Sequence, residues 1–231
     1  MPELPEVEVV KRSLEKKILN LIIQKVKIND SKLRYNVNKE KIYKLKGKKI
    51  KKIYRRSKFL IFQLTGKTFM LVHLGMTGKF FFINKKKKKL KTSFYYKLDP
   101  QKDSKHDRII FYLEKNQKLI YNDVRKFGFI KLISPNHRHL NNHLQNLGPE
   151  PLNSEFNYIY LNKKIRNIKK NTKSLLMDQK IVSGLGNIYV NEILNLCSVN
   201  PKKISKNLTL IETKRIIRNT KITLKKAILL G

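Results

Sequence analysis

The stretch that decides the fold of the second half of the chain is LMDQKIVSGLGNIYVNE, at residues 176–192. Its glycines predict a tight turn over residues 182–187, and the apolar spacing after that turn predicts a helix that continues to Leu196. A glycine-rich turn between two helices lets backbone N–H groups and the side chain of Asn187 approach a phosphate closely. A Gly-x-Gly pair alone is a weak signal, but this longer string is much more specific.

Helical spacing extends to both sides of that stretch. Towards the C-terminus, Thr209-Leu210-Ile211-Glu212 is a capping box that opens another helix. Towards the N-terminus, Leu147-Gly148-Pro149-Glu150-Pro151 interrupts the pattern and is typical of a linker. We therefore divide the chain into a first domain over residues 1–135, a linker over 136–152 and an all-helical domain over 153–231.

The first domain is predicted to be rich in β-strands behind a leading helix, so the fold class is α+β. Pro5 suits the first turn of that helix, and apolar residues recur at helical spacing from Val7 to Ile18. In the first strand we expect Ile23 on the face opposite to Ile22, Gln24, Val26 and Ile28. Strands are also expected over residues 59–64, 68–73, 109–113, 118–122 and 127–133, the first four of these forming two hairpins.

The chain is strongly basic. It carries 53 Lys and Arg against 16 Asp and Glu in 231 residues, a formal net charge of +37. Charge of this size repels itself and favours a polyanionic partner, with nucleic acid the first candidate and an anionic membrane surface the second. The hydrophobic fraction of 40% is nevertheless enough for a packed core. The longest apolar run has five residues, 109–113, so no transmembrane helix is predicted.

The N-terminal sequence and the cysteine content exclude several classes of protein and of site. The N-terminus is acidic and broken by proline, unlike a secretory signal. Cys197 is the only cysteine, which excludes an internal disulfide and a zinc site of several cysteines, and fits the reducing cytoplasm. His137, His139 and His143 cluster in sequence, but they have no companion cysteines, so a metal site there is the minority interpretation and no cofactor is expected in this chain.

The N-terminal residues Met1-Pro2-Glu3 offer covalent chemistry. Initiator methionine is usually removed before proline, and Pro2 would then carry a secondary amine. Because α-amino groups titrate near pH ~8, a useful fraction of that amine would be neutral and nucleophilic. Attack on an aldehydic sugar carbon gives an iminium ion, an electron sink that makes elimination of a neighbouring phosphate feasible. Glu3 could act as general acid on the sugar, although Glu3, Glu6 and Glu8 also fit a simpler interpretation as acids that favour a helix N-terminus.

Three further motifs suit contact with nucleic acid. Lys58, in Arg55-Arg56-Ser57-Lys58-Phe59, is either an amine near an anionic site or part of a basic strand edge. Met76, between Gly75 and Gly78, is either a wedge between bases or a core residue beside a turn. In Asp123-Val124-Arg125-Lys126-Phe127-Gly128, an arginine near an aromatic ring suits hydrogen bonding to a base combined with stacking.

Together these strings resemble the formamidopyrimidine-DNA glycosylase family over essentially the whole chain. The matching segments, in the family's order, are residues 2–8, 58, 73–78, 105–107, 125–128, 147–152 and 176–192. Leu4 favours the branch that acts on oxidised purines, because the branch that acts on oxidised pyrimidines usually has glycine there. The resemblance implies an N-terminal β-sandwich with a leading helix, followed by a helix–two-turn–helix DNA-binding domain.

The resemblance also implies a role for each site residue. Pro2 would be the Schiff-base nucleophile, Glu3 the acid that assists opening of the sugar ring, and Lys58 the proton donor in β-elimination. The residues expected to fill the gap left by a flipped-out nucleotide are Met76, Arg125 and Phe127. The residues expected to bind DNA, mostly at its phosphates, are His106, Arg125, Lys126, Lys169, Asn187 and also Lys173.

The sequence departs from the family pattern in two places. The family ends in a four-cysteine zinc finger whose arginine serves a second, δ-elimination, and the sequence stops where that finger would begin. Zinc is therefore expected only with a further C-terminal segment. The family's Asp-Pro-Arg-Arg-Phe-Gly is replaced by Asp123-Val124-Arg125-Lys126-Phe127-Gly128. We expect lyase activity at abasic sites to persist better than excision of oxidised guanine, and to stop mainly at β-elimination.

The leading hypothesis is a base-excision repair enzyme that is both a DNA glycosylase and an abasic-site lyase. It would remove 8-oxoguanine and formamidopyrimidines from duplex DNA through a Schiff base and then nick the strand. The expected partner is damaged double-stranded DNA, bound by a monomer that has no association with membranes. The alternative is a truncated, largely non-catalytic DNA-binding remnant, but the intact Pro2, Glu3 and Lys58 favour retained chemistry. A ribosome-like RNA binder would explain the charge and none of the motifs.

Overall fold

The computed structural model describes residues 2–84, 89–91, 104–133, 142–166 and 168–231. The chain forms two compact units. The first contains Met1–Pro2, Glu6–Asn141 and Gly231, and the second contains Glu3–Pro5 and Asn142–Leu230. No helix within the described ranges is both long enough and apolar enough to span a membrane.

The first unit is a β-sandwich. Its strands are β1 (Ile23–Ile28), β2 (Ile50–Arg56), β3 (Phe59–Leu64), β4 (Thr68–His73), β5 (Lys79–Ile83), β6 (Lys89–Lys91), β7 (Asp107–Leu113), β8 (Gln117–Asn122) and β9 (Phe129–Ile133). They form one sheet in the order β1-β7-β8-β5-β6 and another in the order β2-β3-β4-β9. Neighbouring strands in both sheets are antiparallel. The two predicted hairpins are confirmed as β3–β4 and β7–β8.

The leading helix α1 (Leu4–Ile18) is also confirmed. Its apolar stripe, Val7, Val10, Leu14 and Ile18, lies in one core with side chains from both sheets. Full burial of each such side chain contributes about 1.5–3 kcal/mol, several times the difference that helix propensity makes per residue. The helix is therefore held in place by its buried face. A short helix α2 (Lys39–Tyr43) and a 3₁₀ turn at Ser104–His106 complete the first unit.

Two strand predictions are corrected by the structure. In β1, Ile23 and Val26 are both buried, because the register against β7 shifts between Ile23 and Lys25. A bulge of this kind adds a residue to one strand and breaks the alternation of faces. The last strand begins at Phe129 rather than at Phe127, since the Gly128 amide donates to the side chain of Asp123 at 2.8 Å instead of to a strand.

The second unit is helical. Its helices are α3 (Tyr158–Ile165), α4 (Thr172–Met177), α5 (Asn187–Leu196) and α6 (Leu210–Leu230). Their shared core includes Leu175, Val190, Ile193, Ile216 and Leu224. The predicted capping box at the start of α6 is confirmed: the Glu212 amide donates to the Thr209 hydroxyl at 3.1 Å, and the Thr209 amide donates to the Glu212 carboxylate at 2.8 Å. The predicted helix after the glycine turn is confirmed as α5, which ends at Leu196.

Candidate functional site

Glu3 accepts hydrogen bonds from the first backbone amides of α5. Its Oε2 accepts from Gly186 at 2.6 Å and from Tyr189 at 3.4 Å, and its Oε1 accepts from Ile188 at 2.9 Å. The first amides of a helix have no partner within the helix, and a carboxylate both satisfies them and complements the helix dipole. Glu3, 2% exposed, therefore stabilises the N-terminus of α5 rather than that of its own helix. Pro2, directly before it in the chain, is also buried.

The glycine turn before α5 is held by one side chain. Gln179 donates from Nε2 to the Leu185 carbonyl at 2.7 Å and accepts at Oε1 from the Gly184 amide at 2.8 Å. Gly184 has φ +98°, and a Cβ there would lie 2.7 Å from the Leu4 side chain. A glycine is thus required for both the backbone conformation and the close approach. Asn187 is exposed as the first residue of α5, at the turn where the sequence predicted it.

Lys58 lies in the turn between β2 and β3. It is 6% exposed, so it is not part of a solvated strand edge. The preceding residue, Ser57, is buried with φ +57°, an uncommon conformation for a residue with a side chain. Arg55 holds this turn, because its Nη1 donates to the Ser57 carbonyl at 3.0 Å and its Nε donates to Glu8 at 2.8 Å.

The Glu8–Arg55 pair is charged and largely shielded from solvent. Burial raises the pKa of Glu8, but the hydrogen bond and positive charge of Arg55, with smaller contributions from Lys11 and Arg12, outweigh it and lower the pKa of this carboxyl below its ordinary value. The charged pair therefore links helix α1 to the turn that carries Lys58.

The three residues expected to fill a gap in DNA lie at the tips of two loops of the first unit. Met76 is 39% exposed and Phe127 is 43% exposed, so Met76 is not a core residue. The guanidinium of Arg125 stacks 4.5 Å from the centroid of the Phe127 ring. The structure brings the two loops together, since the Arg125 amide donates to the Thr77 hydroxyl at 3.0 Å.

His106 and Lys126 belong to one polar network. Lys126 Nζ lies 2.7 Å from Asp30 Oδ2, Arg108 Nη1 lies 3.1 Å from the same oxygen, and Arg108 Nη2 lies 3.2 Å from His106 Nδ1. The hydrogen bond from Lys126, followed by that from the Lys32 amide, lowers the pKa of Asp30. Lys126 is thus already paired with a carboxylate in this structure.

Two lysines expected to bind phosphates lie in the second unit. Lys169 is exposed just before α4, and Lys173 is half-buried in the first turn of α4, where its amide donates to the Pro201 carbonyl at 3.1 Å. Both lysines belong to the same unit as Asn187, which is the first residue of α5.

The residues present do not form the four-cysteine zinc site that the resemblance implies for the family. Cys197 is buried, its Sγ accepts from Asn219 at 3.2 Å, and burial raises the pKa of its thiol. Within the described ranges, no group of three His, Cys, Asp or Glu residues could hold a metal ion. His137 and His139 lie outside those ranges.

Sequence reasoning missed the side chains that hold the site residues in place. Gln179 and Arg55 hold turns that lie within 6 residues of them in the sequence, whereas Asp30 pairs with Arg108 and Lys126, which are distant in the sequence. The one available signal was position: Gln179 lies inside the segment 176–192 that carries the resemblance, and Arg55 lies in the basic motif around Lys58.

Two family models match the chain, namely the formamidopyrimidine-DNA glycosylase N-terminal domain over residues 1–130 and the H2TH domain of the same glycosylase over residues 147–231. The chain belongs to the formamidopyrimidine-DNA glycosylase family. Among curated members, the formamidopyrimidine-DNA glycosylase of Wolbachia pipientis (strain wPip) is 38% identical over 231 residues, and that of Rickettsia bellii (strain OSU 85-389) is 39% identical over 233 residues. The whole chain is covered in both cases, and it spans 79% of each relative.

Solved structures of the same family confirm the fold. The complex of Lactococcus lactis Fpg with DNA containing an abasic site has a TM-score of 0.85 at 33% identity, covering 99% of this chain and 79% of that one. A mutant of the same Fpg bound to Fapy-dG-containing DNA has a TM-score of 0.85 at 33% identity, covering 100% and 79%. The arrangement of an N-terminal β-sandwich and a C-terminal helical region is thus that of Fpg. As a member of this family, the chain is a DNA-repair glycosylase, a DNA-binding hydrolase.

Proposed function

We propose that this glycosylase removes oxidised and ring-opened purines, 8-oxoguanine and formamidopyrimidines, from duplex DNA and then nicks the strand at the resulting abasic site. The similar Lactococcus lactis Fpg binds Fapy-dG-containing DNA and DNA with an abasic site, which supports this substrate class. Leu4 supports it too, as the residue of the branch that acts on oxidised purines.

One observation carries the proposal: the carboxylate that follows Pro2 in the chain is immobilised. Three backbone amides of the α5 N-terminus hold Glu3 in one orientation. A general acid gains its effect from a fixed position relative to the atom it protonates. An amine at Pro2, once Met1 is removed, would be followed by an acid that cannot rotate away.

The proposed reaction has two stages. In the first, the Pro2 nitrogen attacks C1′ of the damaged nucleotide, the N-glycosidic bond breaks and the base leaves with a proton from water. The Glu3 carboxylate takes up the proton that the Pro2 nitrogen loses and passes it to the ring oxygen as the sugar opens, so that an iminium ion forms between Pro2 and C1′. In the second, a proton passes from C2′ to water and the C3′–O bond breaks, expelling the 3′ phosphate. Lys58 protonates that leaving oxygen, and water then hydrolyses the iminium ion and frees the enzyme.

In this proposal, basic and polar side chains hold the DNA. The residues that bind phosphates are His106, Lys126, Lys169, Lys173 and Asn187. Asn187 acts through its exposed side chain at the start of a helix–two-turn–helix element, because Glu3 already accepts from the amides of Gly186, Ile188 and Tyr189. Met76, Arg125 and Phe127 fill the space left by the extruded nucleotide, which offsets the few kcal/mol of unstacking. The intact chemistry at residues 2, 3 and 58 is the reason to favour an active enzyme over a DNA-binding remnant.

Borohydride trapping on an abasic duplex tests the proposal. We expect a covalent protein–DNA adduct, with mass spectrometry placing the modification on Pro2. Protein that retains Met1 should not be trapped, because its proline nitrogen is an amide. Trapping that is undiminished with Met1 retained contradicts the assignment of the nucleophile. Pro2→Gly replaces the secondary amine with a primary one. Trapping equal to that of the unchanged chain would mean that a primary N-terminal amine suffices.

A further inference from the structure

A fully buried carboxylate joins the two loops that carry Met76 and Phe127. Asp123, 0% exposed, accepts at Oδ1 from the Thr77 hydroxyl at 2.5 Å and at Oδ2 from the Gly128 amide at 2.8 Å. Thr77 lies in the Met76 loop, residues 74–78, and Asp123 opens the Arg125 loop, residues 123–128. The two residues are separated by 46 positions in the sequence.

Thr77 serves both loops through one oxygen. A threonine hydroxyl has one hydrogen to donate and lone pairs to accept. It donates to Asp123, and it accepts from the Arg125 amide at 3.0 Å. A continuous path therefore runs from the Arg125 N–H through the Thr77 O–H to the carboxylate, and hydrogen bonds to a charged group in a buried setting are the stronger kind.

The base of this arrangement is fixed from several sides. The Arg108 Nε donates to the Asp123 carbonyl at 2.8 Å, and the Asp123 amide donates to the His106 carbonyl at 3.1 Å. The Tyr121 hydroxyl lies 3.4 Å from Asp123 Oδ2, and burial, then the Asp123 charge, raises the pKa of Tyr121. Tyr121 thus stays protonated and donates.

The two loop backbones also lie close together. A Cβ on Gly75 would lie 2.5 Å from the Gly128 nitrogen, and a Cβ on Gly128 would lie 3.0 Å from the Leu74 carbonyl oxygen. Either loop can shift only if the other shifts with it, because closely packed interiors leave no space for independent displacement.

We propose that the Thr77–Asp123 hydrogen bond makes these two loops one unit, so that Met76, Arg125 and Phe127 enter DNA together. Thr77 and Asp123 are then positioning residues for the wedge. The inference rests on the proposed function, which assigns the three tip residues to the gap in DNA. A rigid base with side chains exposed at its tips binds with little ordering cost, because the wedge is formed before it meets DNA.

The test is a double-mutant cycle on the preference for damaged DNA. Met76→Ala, Phe127→Ala and the double variant are compared by the ratio of Kd for undamaged duplex to Kd for duplex containing tetrahydrofuran, an abasic analogue that cannot be cleaved. Suppose that each single substitution lowers this ratio about tenfold. If the loops act independently, the ratio should fall about a hundredfold in the double variant, and if they act as one unit it should fall about tenfold. We expect the second result in the otherwise unchanged chain.

The same cycle is repeated in Thr77→Val and Thr77→Ser backgrounds. Valine keeps the shape of threonine and removes the hydroxyl, so in that background the two losses in the Kd ratio should multiply. Serine keeps the hydroxyl, so in that background the ratio should again fall only about tenfold in the double variant. Hydrogen exchange at the Arg125 amide should be faster in the valine variant and normal in the serine variant. Melting temperatures show whether the valine variant is folded, and the exchange measurement stands even where DNA binding is weak.

Each result of these cycles either contradicts the coupling or supports it. Losses that multiply in the unchanged chain contradict the coupling, and so does a cycle that Thr77→Val leaves unaltered. Either result leaves the proposed function intact. A chain that prefers the tetrahydrofuran duplex but is unaffected by either alanine contradicts the assigned wedge, and the coupling with it. The inference is supported if the losses in the Kd ratio are non-additive in the unchanged chain and in the Thr77→Ser background but multiply in the Thr77→Val background.

Discussion

The Glu3 carboxylate holds the start of α5 and is proposed to act as the acid, and only the second of these roles was predictable from the sequence. Its place after Pro2 predicts an acid beside a nucleophile, and that prediction needs only the first three residues. Its partners, the amides of Gly186 and Ile188, lie more than 180 positions away in the chain. Nothing local in the sequence identifies them, because any helix N-terminus would offer equivalent donors.

Replacing Glu3 separates these tasks. We expect Glu3→Gln to lower the single-turnover rate of base excision by about 10²–10⁴-fold, the usual size of a general-acid contribution, because an amide has no proton to give. Binding to a tetrahydrofuran duplex should change by less than about tenfold, since glutamine still offers one acceptor to α5. Glu15→Gln, in helix α1 and outside the site, is the matched control. Equal excision by Glu3→Gln and the unchanged chain would remove the acid role.

Glu8 makes stability depend on pH in a defined direction. Its pKa is lower in the folded chain than in the unfolded one. The stability that it contributes is therefore complete above the unfolded value of about 4.3 and disappears as the pH falls through the folded value. Glu8→Gln should lower the free energy of unfolding by about 1–2 kcal/mol at neutral pH. In urea titrations from pH 7 to pH 3, the gap to the unchanged chain should close. A gap that stays constant over this range contradicts the charged pair with Arg55.

At the scale of helices and strands, the periodic patterns in the sequence predicted the elements that form by burying one apolar face. Helix α1 and the hairpins β3–β4 and β7–β8 follow from spacing, because each repeats one apolar face against one core. The bulge in β1 and the late start of β9 depend on partners: β7 sets the first, and the carboxylate of Asp123 sets the second. The first feature needs the tertiary structure, since β7 is distant from β1 in the sequence. The second is a contact over 5 residues, and its one local signal was Gly128.

The glycine turn before α5 yields an element-scale prediction with a built-in reference. Gly184 and Gly47 both have positive φ, +98° and +80°, but a Cβ at Gly47 meets nothing within 4 Å, while one at Gly184 collides with the Leu4 side chain. Gly47→Ala should therefore show only the backbone cost of about 1–2 kcal/mol. Gly184→Ala should add an overpacking cost of about 1–3 kcal/mol. Calorimetric melting compares the two, and equal losses would show that the Leu4 contact relaxes freely.

For the whole molecule, the charge of +37 predicts DNA binding with a steep salt dependence, largely independent of the lesion. Each lysine that contacts a phosphate contributes about 0.9 to the slope of log K against log salt. We expect Lys169→Gln to lower the slope by about this amount on damaged and undamaged duplexes alike. Lys126→Gln should lower it by less, because Asp30 already neutralises that ammonium.

Removing the carboxylate checks this difference. In an Asp30→Asn background, Lys126→Gln and Lys169→Gln should lower the slope equally. Lys226→Gln, an exposed lysine of α6 outside the expected set, serves as the reference. A Lys126 effect that equals the Lys169 effect with Asp30 intact would show that the ion pair has no influence on binding. The sequence predicted the phosphate ligands by type, but it could not show that one of them has a competing partner 96 positions earlier.

The burial of the first residues governs how the protein should be produced. A purification tag fused ahead of Met1 would have to emerge from Pro2 and Glu3, both of which are enclosed, and it would convert the proline nitrogen into an amide. A position on the C-terminal side of α6 avoids both of these enclosed residues. A tag on that side keeps the first amine native, and intact-mass measurement of methionine removal then becomes the first quality check on any preparation of the enzyme.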